Sequence, residues 1–159
     1  MSGTSAERPV GDAAARIRTI PDPGESVPSV ALPTLALFVG AATMFFGATW
    51  LVVAGVMPWP LGTVINAIAG YMMFTVTHEA SHHAASSNTR FNNLLGHLAL
   101  PFFGPPIGFR AFRFIHMQHH QHTNKTDGSD PDEYTMGGSG PLSSLARWAT
   151  LDVHYIAFY

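Results

Sequence analysis

The sequence predicts an all-α, multi-pass helical membrane protein, and three observations carry that reading. Hydrophobic residues make up 47% of the 159 positions and charged residues only 11%, against about 25% charged in ordinary soluble domains. The chain runs from Ala31 to Met57, "ALPTLALFVGAATMFFGATWLVVAGVM", without one charge, which exceeds the roughly 20 residues needed to cross a hydrocarbon core. Every Lys and Arg lies outside this run and the uncharged stretch that follows it.

Taken in order, residues 1–28 mix Gly, Pro, Ser and charges with no apolar periodicity and read as a mobile cytoplasmic leader. Residues 31–57 form the first predicted span. "PWP" at 58–60 breaks it, and Leu61 to Thr77 supplies a second uncharged run that extends as helix into a histidine motif. Together they predict a transmembrane hairpin. Arg8, Arg16 and Arg18 precede it, and Arg90, Arg110, Arg113, Lys125 and Arg147 follow it. The positive-inside bias therefore places both of its ends in the cytoplasm. Residues 94–109, "LLGHLALPFFGPPIGF", are apolar but too short and too interrupted by proline to span, so an interfacial or re-entrant segment is expected. Residues 110–122 predict a helix and the Gly- and Asp-rich stretch 123–141 a loop. From Leu142 a further amphipathic or membrane-entering helix begins. The sequence stops inside its apolar pattern, which predicts that residues 29–159 are the N-terminal part of a longer membrane domain.

Composition narrows the chemistry. With no cysteine among the 159 residues, thiol catalysis and cysteine-held clusters are excluded, and any metal must be held by nitrogen and oxygen. A net charge of −2 argues against nucleic acid as a partner, since phosphate neutralisation needs a basic face.

The nine histidines are unevenly placed. "HEASHH" puts His78, His82 and His83 at the end of the second apolar run, and "HMQHH" gives His116, His119 and His120. At about 100° per residue each triplet can gather on one side of a helix. Six imidazoles beside a membrane segment would repel and desolvate one another without a shared cation, so all six are candidate metal ligands. His97, in an apolar setting between the triplets, is open between ligand and packed hydrogen-bond donor. His122 reads as a supporting or surface residue, and His154 as an interfacial one.

Two metal chemistries compete. "HEASH" satisfies H-E-x-x-H, in which two histidines hold zinc and a glutamate activates water, the pattern of a membrane zinc metallopeptidase. An excess of imidazole suits a redox-active metal such as iron.

The pairing of "HEASHH" with "FRFIHMQHHQHTNKTDGSDPD" about thirty residues later resembles the first two histidine boxes of the membrane fatty acid desaturase and hydroxylase family. "GHLALP" and the "HMQHHQHTN…DPD" ending are also similar to the bacterial carotenoid-ring hydroxylase branch. The resemblance implies two non-haem irons held by His78, His82, His83, His116, His119 and His120. It implies that Glu79 orients a histidine through its second ring nitrogen, and it matches Asp130 and Asp132 to the acidic pair after the second box, where simple turn residues are the competing reading. Dioxygen is the implied co-substrate, a ferredoxin-like carrier the electron donor, and a membrane lipid the substrate, desaturated or hydroxylated at the cytoplasmic face of the inner membrane. Fatty acyl desaturation is favoured, carotenoid-ring hydroxylation being the alternative within the family. The family's third H-x-x-H-H box has no counterpart here, so an inactive truncated remnant is a further alternative.

Overall fold

A computed structural model describes residues 26–104 and 107–158. Most of the expected leader, residues 1–25, lies outside the described residues. The described residues are helical and contain no strand. The helices are α1 (Leu32–Val53), α2 (Trp59–Ser81), α3 (Thr89–Ala99), α4 (Phe109–His122), α5 (Glu133–Met136), α6 (Pro141–Ala149) and α7 (Leu151–Phe158), with a 3-10 turn at Leu100–Phe102.

The first two are long and apolar enough to cross a membrane. The first ends earlier than its composition suggested, because the chain turns through Gly55 at φ 73°. The second starts earlier. Pro60 sits in the first turn of α2, where a missing N–H costs nothing, so "PWP" opens the helix instead of separating two. It then continues past Thr77 to Ser81, carrying His78 as expected.

These helices pack as a hairpin. The buried positions of α1, Thr34, Ala41 and Ala48, recur every seventh residue, which keeps a seam of small side chains against α2. Gly62 makes room for α1, since a Cβ there would meet Val52 Cγ2 at 2.3 Å. Asn66 Nδ2 donates to Thr49 Oγ1 at 2.9 Å, joining the spans through a polar pair. At the other end Ala31 N–H donates to Ala85 O and Ser87 N–H to Pro28 O, each at 2.9 Å. The start of α1 is thereby tied to the chain leaving α2. Large side chains such as Phe46, Trp50, Val53, Val64 and Tyr71 point outward and stay exposed, as suits a surface solvated by lipid.

Beyond the hairpin, Asn88 caps α3, its Oδ1 accepting from Arg90 N–H at 3.0 Å and Phe91 N–H at 3.2 Å. The expected interfacial segment is thus a capped helix followed by the 3-10 turn, packed on α2 through Ala99, Met73 and Val76. Gly108, at φ 76°, turns the chain into α4. Phe109 then buries completely against Leu100 and Ala80. The predicted loop contains the four-residue α5, and the last predicted helix is two, broken at Thr150.

Candidate metal centre

The end of α2 and the last turns of α4 meet. One nitrogen from each of His78, His82, His116 and His120 lies within 4.8 Å of the other three. His82 Nε2 stands 3.1 Å from His116 Nε2, which is also 3.1 Å from His120 Nε2. The ring centroids of His78 lie 4.6 Å from those of His82 and 4.7 Å from those of His116. His78 and His116 are half-buried, His82 and His120 exposed.

Crowding sets the protonation of this group. Burial, followed by the nearby charges of His78, His120, His82 and His119, lowers the His116 pKa to about 4. Burial and the charges of His78 and His120 also lower that of His82, which lies just past the end of α2. His116 is therefore a neutral imidazole near pH 7, with a lone pair available to a cation. Four convergent imidazole nitrogens, His116 among them neutral, could hold a divalent first-row metal, and imidazole is compatible with iron.

His119 is placed differently. Its Nδ1 donates to Asp130 Oδ1 at 2.8 Å and lies 3.4 Å from Asp132 Oδ2. These three residues form a second group that could hold a metal. Asp130 is 2% exposed and also accepts from Asn124 N–H and Asp132 N–H, both at 2.9 Å. Burial pushes its carboxyl up, but the hydrogen bonds from His119 and the two backbone amides outweigh it and hold the pKa below the ordinary value. Its role thus exceeds that of a turn residue. Asp132 in turn accepts a hydrogen bond from the Tyr155 hydroxyl of α7.

The structure does not bring His83 or His97 into either group. The α2 helix stops at Ser81 and His83 takes a left-handed backbone at φ 57°, so helical spacing no longer governs where its ring goes. His97 Nδ1 bonds to Asn93 O at 2.8 Å, and its ring meets Phe109 edge-on. Glu79 Oε1 is 4.0 Å from His78 Nδ1, too far for a hydrogen bond. Among the described residues, a carboxylate at hydrogen-bond distance from a histidine ring is that of Asp130, beside His119. His122 Nδ1 bonds to Gln118 O within its own helix, and His154 stacks on Tyr134 at 4.2 Å, away from the centre.

Three residues escaped the sequence reading because their types carry no local signal. Asn92 Nδ2 donates to Ala80 O at 2.7 Å. Arg113 Nη2 donates to the same carbonyl at 2.9 Å and to Asn93 Oδ1 at 2.7 Å. Beside the histidines lies a cavity of about 480 Å³. Phe74, Phe103, Phe112, Ile115 and Trp148 give it apolar walls, and His78, His116, His119 and His120 line it too.

The family model of fatty acid desaturases matches residues 54–159. The chain is 28% identical over 113 residues to the chloroplastic omega-3 fatty acid desaturase of Glycine max, covering 70% of this chain and 24% of that protein. It is 34% identical over 98 residues to the sn-1 oleoyl-lipid 12-desaturase of Picosynechococcus sp., covering 60% and 25%. To the sn-1 oleoyl-lipid 12-desaturase of Synechocystis sp. it is 30% identical over 135 residues, covering 80% and 36%. The chain thus spans about a quarter to a third of the length of these relatives. No solved structure gives a significant match. With the paired histidine segments, the apolar hairpin and a family match over two thirds of its length, the chain belongs to the fatty acid desaturase family.

Proposed function

We propose that this chain supplies the membrane hairpin and two of the histidine boxes of a di-iron oxidoreductase that uses dioxygen to desaturate a fatty acyl lipid. The observation that carries this reading is the convergence of His78, His82, His116 and His120 from two separate helices. Residues 29–159 are the N-terminal part of the enzyme's membrane domain, and other parts of the full protein complete the iron coordination. Both ends of the hairpin face the cytoplasm of a cell whose inner membrane holds the protein, following the Lys and Arg distribution. A soluble ferredoxin-like carrier reaches the histidines from that side.

Two irons, when bound, supply the means to reduce dioxygen with two electrons and two protons while a CH2–CH2 unit becomes CH=CH and two waters leave. The chain's own residues prepare for this. His82 and His116 present neutral imidazoles because burial and mutual repulsion disfavour their protonation. Asp130 fixes the tautomer of His119 by accepting from Nδ1, which leaves Nε2 as the free lone pair. The apolar walls of the adjacent cavity, Phe74, Phe103 and Phe112 among them, suit an alkyl chain beside the histidines.

Family membership speaks for this reading over the zinc peptidase that "HEASH" alone allows. Relatives named as fatty acid and oleoyl-lipid desaturases favour desaturation of a fatty acyl chain over carotenoid-ring hydroxylation. The deciding experiment expresses the full protein in a host of defined lipid composition and analyses the acyl chains by mass spectrometry. New double bonds together with about two irons per chain support the reading. One zinc and unchanged lipids would sink it, and unchanged lipids with an empty metal site would mark an inactive remnant.

A further inference from the structure

Ala80 lies between His78 and His82, in the last turn of α2, where carbonyl groups have run out of helical partners. Its oxygen accepts from His83 N–H at 3.2 Å, from Asn92 Nδ2 at 2.7 Å and from Arg113 Nη2 at 2.9 Å. The negative end of the helix dipole thus meets a guanidinium. Arg113 is three residues before His116 on α4. It is held from its other sides by Asn93 Oδ1 at 2.7 Å and by the Phe109 ring, whose centroid is 4.6 Å from Cζ. Its buried Nε has no hydrogen-bond partner, so the orientation is fixed by Nη2 and the ring.

We propose that Arg113 is a positioning residue for the metal centre: it sets the separation between the helix end that carries His78 and His82 and the helix that carries His116 and His120. Among the described residues, the side-chain hydrogen bonds between these two segments are Arg113 to Ala80 O and His82 to His116. The rest of the contact is made by the facing imidazole rings and by the apolar side chains of Phe109 and Phe112, and such packing tolerates sliding that directed hydrogen bonds do not. The anchor is one helical turn from His116 at one end and two residues from His78 and from His82 at the other. Nitrogens 3.1 Å apart leave little room for a shift of that turn. Lysine would reproduce this only in part, because its ammonium could donate to Ala80 O and Asn93 Oδ1 as Nη2 does but lacks the planar guanidinium face that lies over Phe109.

The inference rests on the histidine group being a metal site, and the test separates the two. The chain has no cysteine, so spin labels can be placed at Tyr71→Cys on exposed α2 and Gln121→Cys on exposed α4 without removing a native thiol. In metal-free protein in detergent, Arg113→Gln should broaden the label-to-label distance distribution, with Arg113→Lys between it and the unmodified Arg113. Titration with Co(II), followed by its ligand-field absorption, should show affinity at least tenfold weaker in Arg113→Gln and partly restored in Arg113→Lys. If Arg113→Gln does not fold, Asn93→Ala removes one anchor of the guanidinium and should move both readouts the same way, by a smaller amount. An unchanged distance distribution, or unchanged Co(II) affinity alongside a broadened one, overturns the proposal. If unsubstituted protein takes up no Co(II) yet the distances respond to Arg113→Gln, the clamp stands and the metal reading falls.

Discussion

Asp130 Oδ1 and His119 Nδ1 are 2.8 Å apart, and this contact ties the loop after α4 to the face of α4 that carries the histidines. The carboxylate is buried and saturated: two backbone amides share it with the ring. Replacing Asp130 by Ala removes the buried acceptor shared by these three partly exposed donors, at a cost of about 1–3 kcal/mol. Thermal unfolding of Asp130→Ala should show that loss, whereas Asp132→Ala, at a half-buried site, should cost less. Equal losses would mean that Asp130 is only one of two interchangeable turn carboxylates.

Metal content tests membership of the centre. Single substitutions His78→Ala, His82→Ala, His116→Ala and His120→Ala should each lower iron bound per chain by at least half, because each removes one of four convergent nitrogens. His97→Ala should leave it unchanged, its ring being engaged with Asn93 O and Phe109. His83→Ala and His119→Ala are the informative pair. Retention of iron in the first and loss in the second is expected from the orientation that Asp130 imposes on His119.

Acid should destabilise the metal-free protein. An unfolded His116 takes up a proton near pH 6.5, whereas the folded one resists until about pH 4. The unfolded state therefore binds more protons between those values, and stability contributed by His116 is full above pH 6.5 and falls as pH drops towards 4. His82 acts in the same direction. Melting temperature in detergent should decline from pH 7 to pH 4.5, and His116→Asn should flatten that decline. A slope unaffected by the substitution would assign the acid sensitivity to other groups.

Packing around α3 gives a prediction independent of any metal. A Cβ at Gly96 would lie 2.3 Å from the Phe109 ring, which is completely buried. Gly96→Ala forces that ring out of place and should cost about 1–3 kcal/mol, as overpacking does. Gly40, with nothing near its would-be Cβ, is the control: Gly40→Ala should be neutral or slightly stabilising in a helix. Unfolding of both variants in detergent checks the contrast.

The sequence by itself determined the helical class, the two apolar spans and the two histidine segments, because these follow from local regularities: length of uncharged run, helical period and ligand spacing. The resemblance carried by "HEASHH" and "HMQHHQH" pointed to the family that the comparisons show. The exact ends of α1 and α2 were not legible, since a proline in the first turn of a helix and a proline that breaks one look alike in sequence.

Tertiary structure decided which of the candidates meet. His78 and His82 join His116 and His120 only because α2 continues to Ser81 and α4 packs across its end. His83 departs because the helix has already stopped, a matter of one residue's backbone angle. Glu79, adjacent in sequence to His78, does not reach hydrogen-bond distance, while Asp130, eleven residues from His119, does. Local spacing fixes which residues share a helix face, but distances between helices are set by directed contacts such as Arg113 to Ala80 O. Those contacts join residues far apart in the chain, so no pattern along the sequence encodes them.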